Sequence, residues 1–128
     1  MTTTQEALRE YAGEGNADAI IVGVACDVST AEGREILVSA ANEHFPDSVD
    51  VLVNNVGTNV RAKVEDVKDE DYARMFRTNV DSCFYLSRSF GPALAKSTRP
   101  GGARAINVAS LAGLFSSGTG ARHTRCDG

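Results

Sequence analysis

This chain lacks most of the features that mark a specialised protein, and each shortage narrows what it can be. Its three cysteines, Cys26, Cys83 and Cys126, are far apart and odd in number, with no CxxC pair, and neither His44 nor His123 lies near a cysteine pair. That pattern argues against a disulfide framework or zinc site and for free thiols in a reducing, cytoplasmic setting. No apolar run approaches membrane-spanning length. The opening MTTTQEALREY is polar and lacks the apolar centre of a signal peptide. No membrane association is expected. An excess of positive charge is also missing. The net charge is −4 and the Lys and Arg residues are scattered, so nothing points to nucleic acid as a partner. There is no internal repeat and no low-complexity segment.

What is present is ordinary bulk with an ordered pattern. At 128 residues the chain is at most one domain, 1–128. Residues 4–12 read as a short helix with Ala7, Leu8 and Tyr11 on one side. The nearly continuous apolar run 19–25 suits a strand buried on both faces, as in a parallel sheet. Ser29-Thr30-Ala31-Glu32 has capping-box spacing, with Ser29 as the cap. In the helix that follows, Ile36, Leu37, Ala40, Ala41 and Phe45 form one apolar stripe, and Pro46 stops it.

Residues 50–54 form the second strand and 55–67 a loop. A long helix spans about 69–96. Asp69, Glu70 and Asp71 suit its positive end. Its inner face runs through Tyr72, Met75, Phe76, Asn79, Val80, Cys83, Phe84, Ser87, Phe90 and Leu94, and Pro92 kinks it or ends it early. Pro100-Gly101-Gly102 is a turn. Residues 103–109 form a third strand, with Ile106 and Val108 on one face. The Gly- and Ser-rich remainder, 112–128, reads as an irregular tail. Alternation of helix and strand predicts an α/β fold with a parallel sheet and right-handed crossovers.

The polar residues that could carry chemistry sit where apolar runs end. Val51-Leu52-Val53-Asn54-Asn55-Val56-Gly57 is the sharpest case. A strand that stops at two amides and a glycine offers hydrogen-bonding groups and an unobstructed backbone at the rim of a sheet, where open parallel sheets bind ligands. The same residues would also suit an Asn-rich turn. Asp27 follows the first apolar run and could simply lead a turn before the Ser29 cap. Asn79 lies mid-helix, where its amide is disfavoured unless it has partners. Ser110 ends the third apolar run, in INVASLAG.

Together NNVG, RTNVDSCF and INVASLAG, in that order, resemble the short-chain dehydrogenase/reductase family, and NNVGTNVR looks most like its tropinone-reductase-like branch. The resemblance covers about residues 17–120, the middle of the family domain. It implies a partial doubly wound, Rossmann-like parallel sheet of about three strands with flanking helices. It implies an oxidoreductase that moves a hydride between NADP(H) or NAD(H), NADP being favoured by the branch, and a small carbonyl or alcohol substrate. The matching positions imply cofactor contacts at Asp27, near the adenine, and at Asn54, Asn55 and Gly57. They imply a catalytic Ser110 that polarises the substrate carbonyl and a catalytic Asn79 that distorts its helix and holds a water. The long helix is the part that the family uses for subunit pairing, which implies an oligomer.

Two departures from the family pattern weigh against turnover. The family's Gly-x-x-x-Gly-x-Gly loop, which cradles the pyrophosphate, does not occur before residue 19. The Tyr-x-x-x-Lys motif expected about a dozen residues after Ser110 is replaced by ARHTRCDG. His123 lies near the Tyr position and no Lys follows. The simplest source of those last eight or so residues is a frameshift, mis-splicing or a truncated gene model. A truncated family member that acts through its long helix as an interaction protein is the rival reading. The sheet order 3-2-1-4-5-6 also leaves a gap between the strand at 19–25 and the strand at 50–54. The chain is therefore expected to melt with poor cooperativity and to aggregate through open strand edges.

Overall fold

The computed structural model describes residues 20–111. The helix expected at 4–12 and the tail at 112–128 lie outside the described residues. In chain order come α1 (Ala31–His44), β1 (Val51–Asn54), a 3-10 turn (Val64–Asp66), α2 (Asp69–Phe76), a π-helical turn (Arg77–Asp81), α3 (Ser82–Ala95) and β2 (Arg104–Asn107). The fold class is α/β, with helices flanking a parallel sheet. β1 and β2 pair in parallel, in register from Val51 with Arg104 to Asn54 with Asn107. A parallel pair needs a long crossover, which the α2–π–α3 helix supplies.

One expected strand is absent from the sheet. Residues 20–26 are extended in sequence character but take no place in the sheet, which among the described residues has two strands. A buried parallel strand exists only through its neighbours. In the order 3-2-1-4 its neighbour is not the strand that ends at Asn54.

The start of α1 differs from expectation by one residue. Thr30, not Ser29, is the N-cap, and its Oγ1 accepts from the Gly33 N–H at 3.0 Å. The reason lies in Asp27. Its carboxylate accepts from the Ser29 N–H at 2.9 Å, and its carbonyl accepts from the Thr30 N–H and hydroxyl. Ser29 is thus consumed by the Asp27 turn, and the cap passes to the next hydroxyl. Gly33 is buried under this turn. A Cβ there would stand 2.0 Å from the Asp27 carbonyl oxygen, so the helix can approach the turn only because residue 33 has no side chain.

The long helix has the expected span, and its expected inner face holds in part: Phe90 is buried and Leu94 packs on the core. The buried positions of α3 are Ser82, Leu86 and Phe90, whereas Tyr72, Phe76, Val80 and Phe84 are 55, 46, 51 and 61% exposed. The π turn shifts the helix register partway along, so one continuous α-helical stripe does not describe both α2 and α3. Pro92 neither ends nor shortens the helix, which runs on to Ala95. The missing N–H of Pro92 deprives the Arg88 carbonyl of a helix bond, and the helix continues for three more residues.

The core is small. Val28, Leu86 and Phe90 form it, with Cys26, Leu37, Val38, Ala41, Val49, Leu52 and Leu94 packed against them. Burial of Leu86 and Phe90 stabilises by roughly 1.5–3 kcal/mol each. In α1, Leu37 and Ala41 face this core as expected, but Ile36 and Phe45 are exposed. At the other end of the sheet the turn before β2 is built on Gly101 and Gly102, at φ 82° and 75°. The Arg104 guanidinium holds the carbonyls of Gly101, Gly102 and Ala103. The ladder then opens with the Arg104 N–H on the Asp50 carbonyl at 2.9 Å.

Candidate functional site at the carboxyl rim of the sheet

Because β1 and β2 are parallel and in register, Asn54 and Asn107 end them side by side. Asn54 is 5% exposed. Its Nδ2 donates to Asn107 Oδ1 at 2.8 Å and to Ser87 Oγ at 3.2 Å, tying both strand ends to α3. The Val108 N–H continues the ladder onto the Asn54 carbonyl at 2.9 Å. Asn54 Oδ1, in contrast, is buried and has no hydrogen-bond donor among the described residues. A buried amide oxygen without a donor costs about 1–3 kcal/mol, so something that donates fits there.

Asn55, Val56 and Gly57 follow on the exposed rim. Gly57 does not have a positive φ, and a Cβ there would meet Asn79 Oδ1 at an ordinary 3.7 Å. The described protein atoms therefore do not require glycine at 57. A flat ligand lying against that backbone would.

Asn79 is in the π turn, and its amide clamps the rim. Oδ1 accepts from the Thr58 N–H at 2.8 Å and Nδ2 donates to the Thr58 carbonyl at 2.9 Å. This two-point grip fixes the chain just after Gly57. Asn79 was expected to be buried with the inner face; it is exposed, and its partners are backbone groups of the rim rather than core atoms. Its carbonyl accepts from Cys83 Sγ at 3.5 Å. Ser110 lies three residues beyond the end of β2, exposed. Asn79, from the π turn, thus meets the segment that follows Asn54, at Gly57 and Thr58.

Asp27 belongs to another segment, and its hydrogen bonds are to Ser29 and Thr30. Its carboxyl is held below its ordinary value of 3.8, first by the Ser29 backbone N–H, then by the Ser29 side chain. Desolvation opposes them, and the Arg77 charge, from the π turn, adds a smaller lowering effect.

Three residues of the arrangement were not singled out from the sequence. Asn107 and Thr58 are partners of the two asparagines, and Gly33 seats the Asp27 turn. Only Asn107 had a usable signal: two expected strands each carry an Asn near the end, and parallel pairing would align them.

Such a rim, polar and glycine-bearing at the carboxyl ends of parallel strands, defines an α/β protein of the class that binds ligands beyond its strand ends. Comparison with known proteins makes this specific. A profile described as short chain dehydrogenase matches residues 1–122, and the chain belongs to that family. It is tropinone-reductase-like. A tropinone reductase homolog of Arabidopsis thaliana is 36% identical over 111 residues, 86% of this chain and 41% of the relative. A second from the same plant is 34% identical over 117 residues, 91% of this chain and 41% of the relative. Among solved structures, a Pseudomonas aeruginosa RhlG/NADP active-site complex superposes with a TM-score of 0.72 at 29% identity, covering 94% of this chain and 47% of that one. An NADH-dependent reductase, A1-R', gives 0.68 at 30% identity, covering 77% and 41%. The chain thus spans about two-fifths of the length of the curated relatives it matches. No helix among the described residues is long and apolar enough to cross a membrane.

Proposed function

We propose that the rim is the substrate-side half of a nicotinamide dinucleotide site, in a chain of oxidoreductase ancestry that itself turns over little or no substrate. The observation that carries this reading is the Asn79 clamp on Thr58 beside the unpartnered Asn54 Oδ1 and the unobstructed Gly57. Asn54, Asn55 and Gly57 would line the dinucleotide, with Asp27 at its adenine end. The bound cofactor would supply or accept the hydride in carbonyl reduction or alcohol oxidation. Ser110 would donate its hydroxyl hydrogen to the substrate oxygen, an interaction that strengthens as negative charge develops there. Asn79 would keep the rim loop in place and offer its backbone carbonyl to a water. NADP is favoured over NAD by the tropinone-reductase likeness and by the NADP named for RhlG, although the A1-R' reductase is named for NADH. A cytoplasmic location fits the widely separated cysteines.

Low turnover follows from general acid–base chemistry. Proton transfer needs a group with a tuned pKa. The stretch after Ser110 has neither Tyr nor Lys, and His123 would stand without a lysine to tune it. The test is addition of NADPH to the purified chain, read by backbone amide NMR and by ketone reduction. Shifts at Asn54, Asn55, Gly57 and Thr58 are expected, with turnover at background. An unmoved rim would remove the cofactor reading, and brisk reduction would remove the claim of inactivity.

A second reading, an interaction protein, is favoured by one feature. Tyr72, Phe76, Val80 and Phe84 leave an apolar stripe exposed along the long helix. Co-purification with a full-length relative, abolished by Phe84→Glu, is the expected sign.

A further inference from the structure

The crossing of α1 and α3 leaves a cleft of about 440 Å³ that shares no residue with the rim. Arg34, Glu35, Ser39, Tyr85, Arg88 and Ser89 are among the residues lining it. Two guanidinium groups converge there on one ring: the Arg34 carbon is 4.6 Å, and the Arg88 carbon 4.9 Å, from the Tyr85 centroid. The two cations are thus less than about 10 Å apart, close to the screening length of ordinary buffers, so they repel each other. Neither has a carboxylate within ion-pair distance among the described residues, whose one ion pair is Arg74 with Asp71. Glu35 lines the cleft without bridging to either arginine.

Arg34 is also pre-set. Its Nη1 donates to the Val28 carbonyl at 2.9 Å, while the Tyr85 ring holds its face. An anchored guanidinium keeps its remaining N–H groups in a planar fork, the geometry that matches phosphate or carboxylate oxygens. Arg88 lies over Tyr85 and, at 5.8 Å, over Phe84, with no hydrogen-bond acceptor recorded among the described residues. Hydroxyls of Ser39, Ser89 and Tyr85 add donors around the same space. A volume of this size exceeds that of a lone inorganic ion and suits a small organic molecule.

We infer that this cleft binds a compact polyanion, phosphorylated or polycarboxylic, held by Arg34 and Arg88 with the hydroxyls of Ser39, Ser89 and Tyr85 around it. The proposal does not rest on the nicotinamide reading. Calorimetric titration of the full chain with inorganic pyrophosphate, and separately with citrate, tests it and tells the two chemistries apart. Saturable binding of at least one is expected. Arg88→Ala is expected to weaken it at least tenfold, and Arg88→Lys to weaken it less, because charge survives while the fork is lost. Arg99→Ala, an exposed cation outside the cleft, is expected to leave it unchanged. If neither anion saturates, or if Arg99→Ala weakens binding as much as Arg88→Ala, the attraction is general to the surface and the site does not exist.

Discussion

Two apolar runs in this chain end in polar turns, and the two ends are held in different ways. At Asp27 every recorded bond is local, to residues two or three positions on: the Ser29 N–H, the Thr30 N–H and the Thr30 hydroxyl. At Asn54 the bonds are distant, to Ser87 and Asn107, and the Asn79 grip on Thr58 spans 21 positions. The consequence appears in the strands themselves. The run before Asn54 lies in a ladder, whereas among the described residues the run before Asp27 takes no place in the sheet. Turn chemistry forms wherever its few residues occur. A ladder forms only where a second strand is supplied, because its backbone groups cannot satisfy one another within a single strand.

The sharpest way to break this contrast is Gly33→Ala. Helix propensity alone would favour alanine by about 1 kcal/mol. A Cβ placed 2.0 Å from the Asp27 carbonyl reverses the sign, because the obstacle is backbone and cannot swing aside. A net loss of about 3 kcal/mol is expected in denaturant unfolding. Gly91→Ala is the matched control. It also lies inside a helix, and a Cβ there meets nothing within 4 Å beyond its chain neighbours. Pro92 follows and crowds that Cβ, so the helix gain of about 1 kcal/mol is offset and a change near zero is expected. Equal effects at the two positions would mean that the close approach at Asp27 is not real.

Asn54→Ala comes next. It removes both bonds that tie β1 to β2 and α3, at roughly 1–2 kcal/mol. It also deletes the Oδ1 that lacks a donor, which keeps the loss toward the lower figure. Amide exchange should quicken in β1 and β2 together and remain unchanged in α1. Quickening confined to one strand would mean that Asn54 is not the tie.

What could be read from the sequence follows the same division. The helix after Asp27, its stop at Pro46, the strand ending at Asn54 and the turn at Gly101-Gly102 are all set by neighbours in sequence, and each was readable to within a residue or two. The run 19–25 was read as a strand from its apolar composition, which reports burial and not sheet position, and residues 20–25 lie outside the two-stranded sheet of the described residues. Tyr72, Phe76, Val80 and Phe84 were assigned to one inner face with Phe90 and Leu94; of these the last two are on the core, because the π turn at Arg77–Asp81 shifts the register between the two parts of the helix. Of the candidate site residues, Asn54 and Ser110 were legible as polar residues at the ends of apolar runs and Asn79 as an amide inside a helical pattern. Thr58 was not, because only its backbone takes part, and Gly33 was not, because a close contact leaves no mark beyond the glycine itself.

Asn79→Ala should have a smaller global effect. Two solvent-facing hydrogen bonds, each worth about 1 kcal/mol or less, are lost, while alanine suits a helix better by about half of that. The thermal midpoint should scarcely move. The Thr58 amide should exchange roughly five- to tenfold faster, since it loses its acceptor. A large drop in midpoint with Thr58 unchanged would make Asn79 a core residue, contrary to its exposure.

The finest test concerns acid. The Asp27 carboxyl is held below 3.8 mainly by the Ser29 N–H, which bonds the charged form. A carboxyl lowered in the folded state stabilises the fold fully above its unfolded value, and that contribution disappears as the pH falls through the lower, folded value. The group is fully exposed, so the effect on whole-molecule stability is slight and is better followed locally. In an NMR titration the Ser29 amide should move together with the Asp27 carboxyl, at a midpoint under 3.8. Arg77→Ala should raise that midpoint by less than loss of the Ser29 contact does, since charge from the π turn is the smaller cause. Asp27→Asn retains an acceptor oxygen, so the turn should survive while its acid dependence vanishes. A midpoint at or above 3.8 would mean that Ser29 does not donate to Asp27, and the locally held turn would lose its main bond.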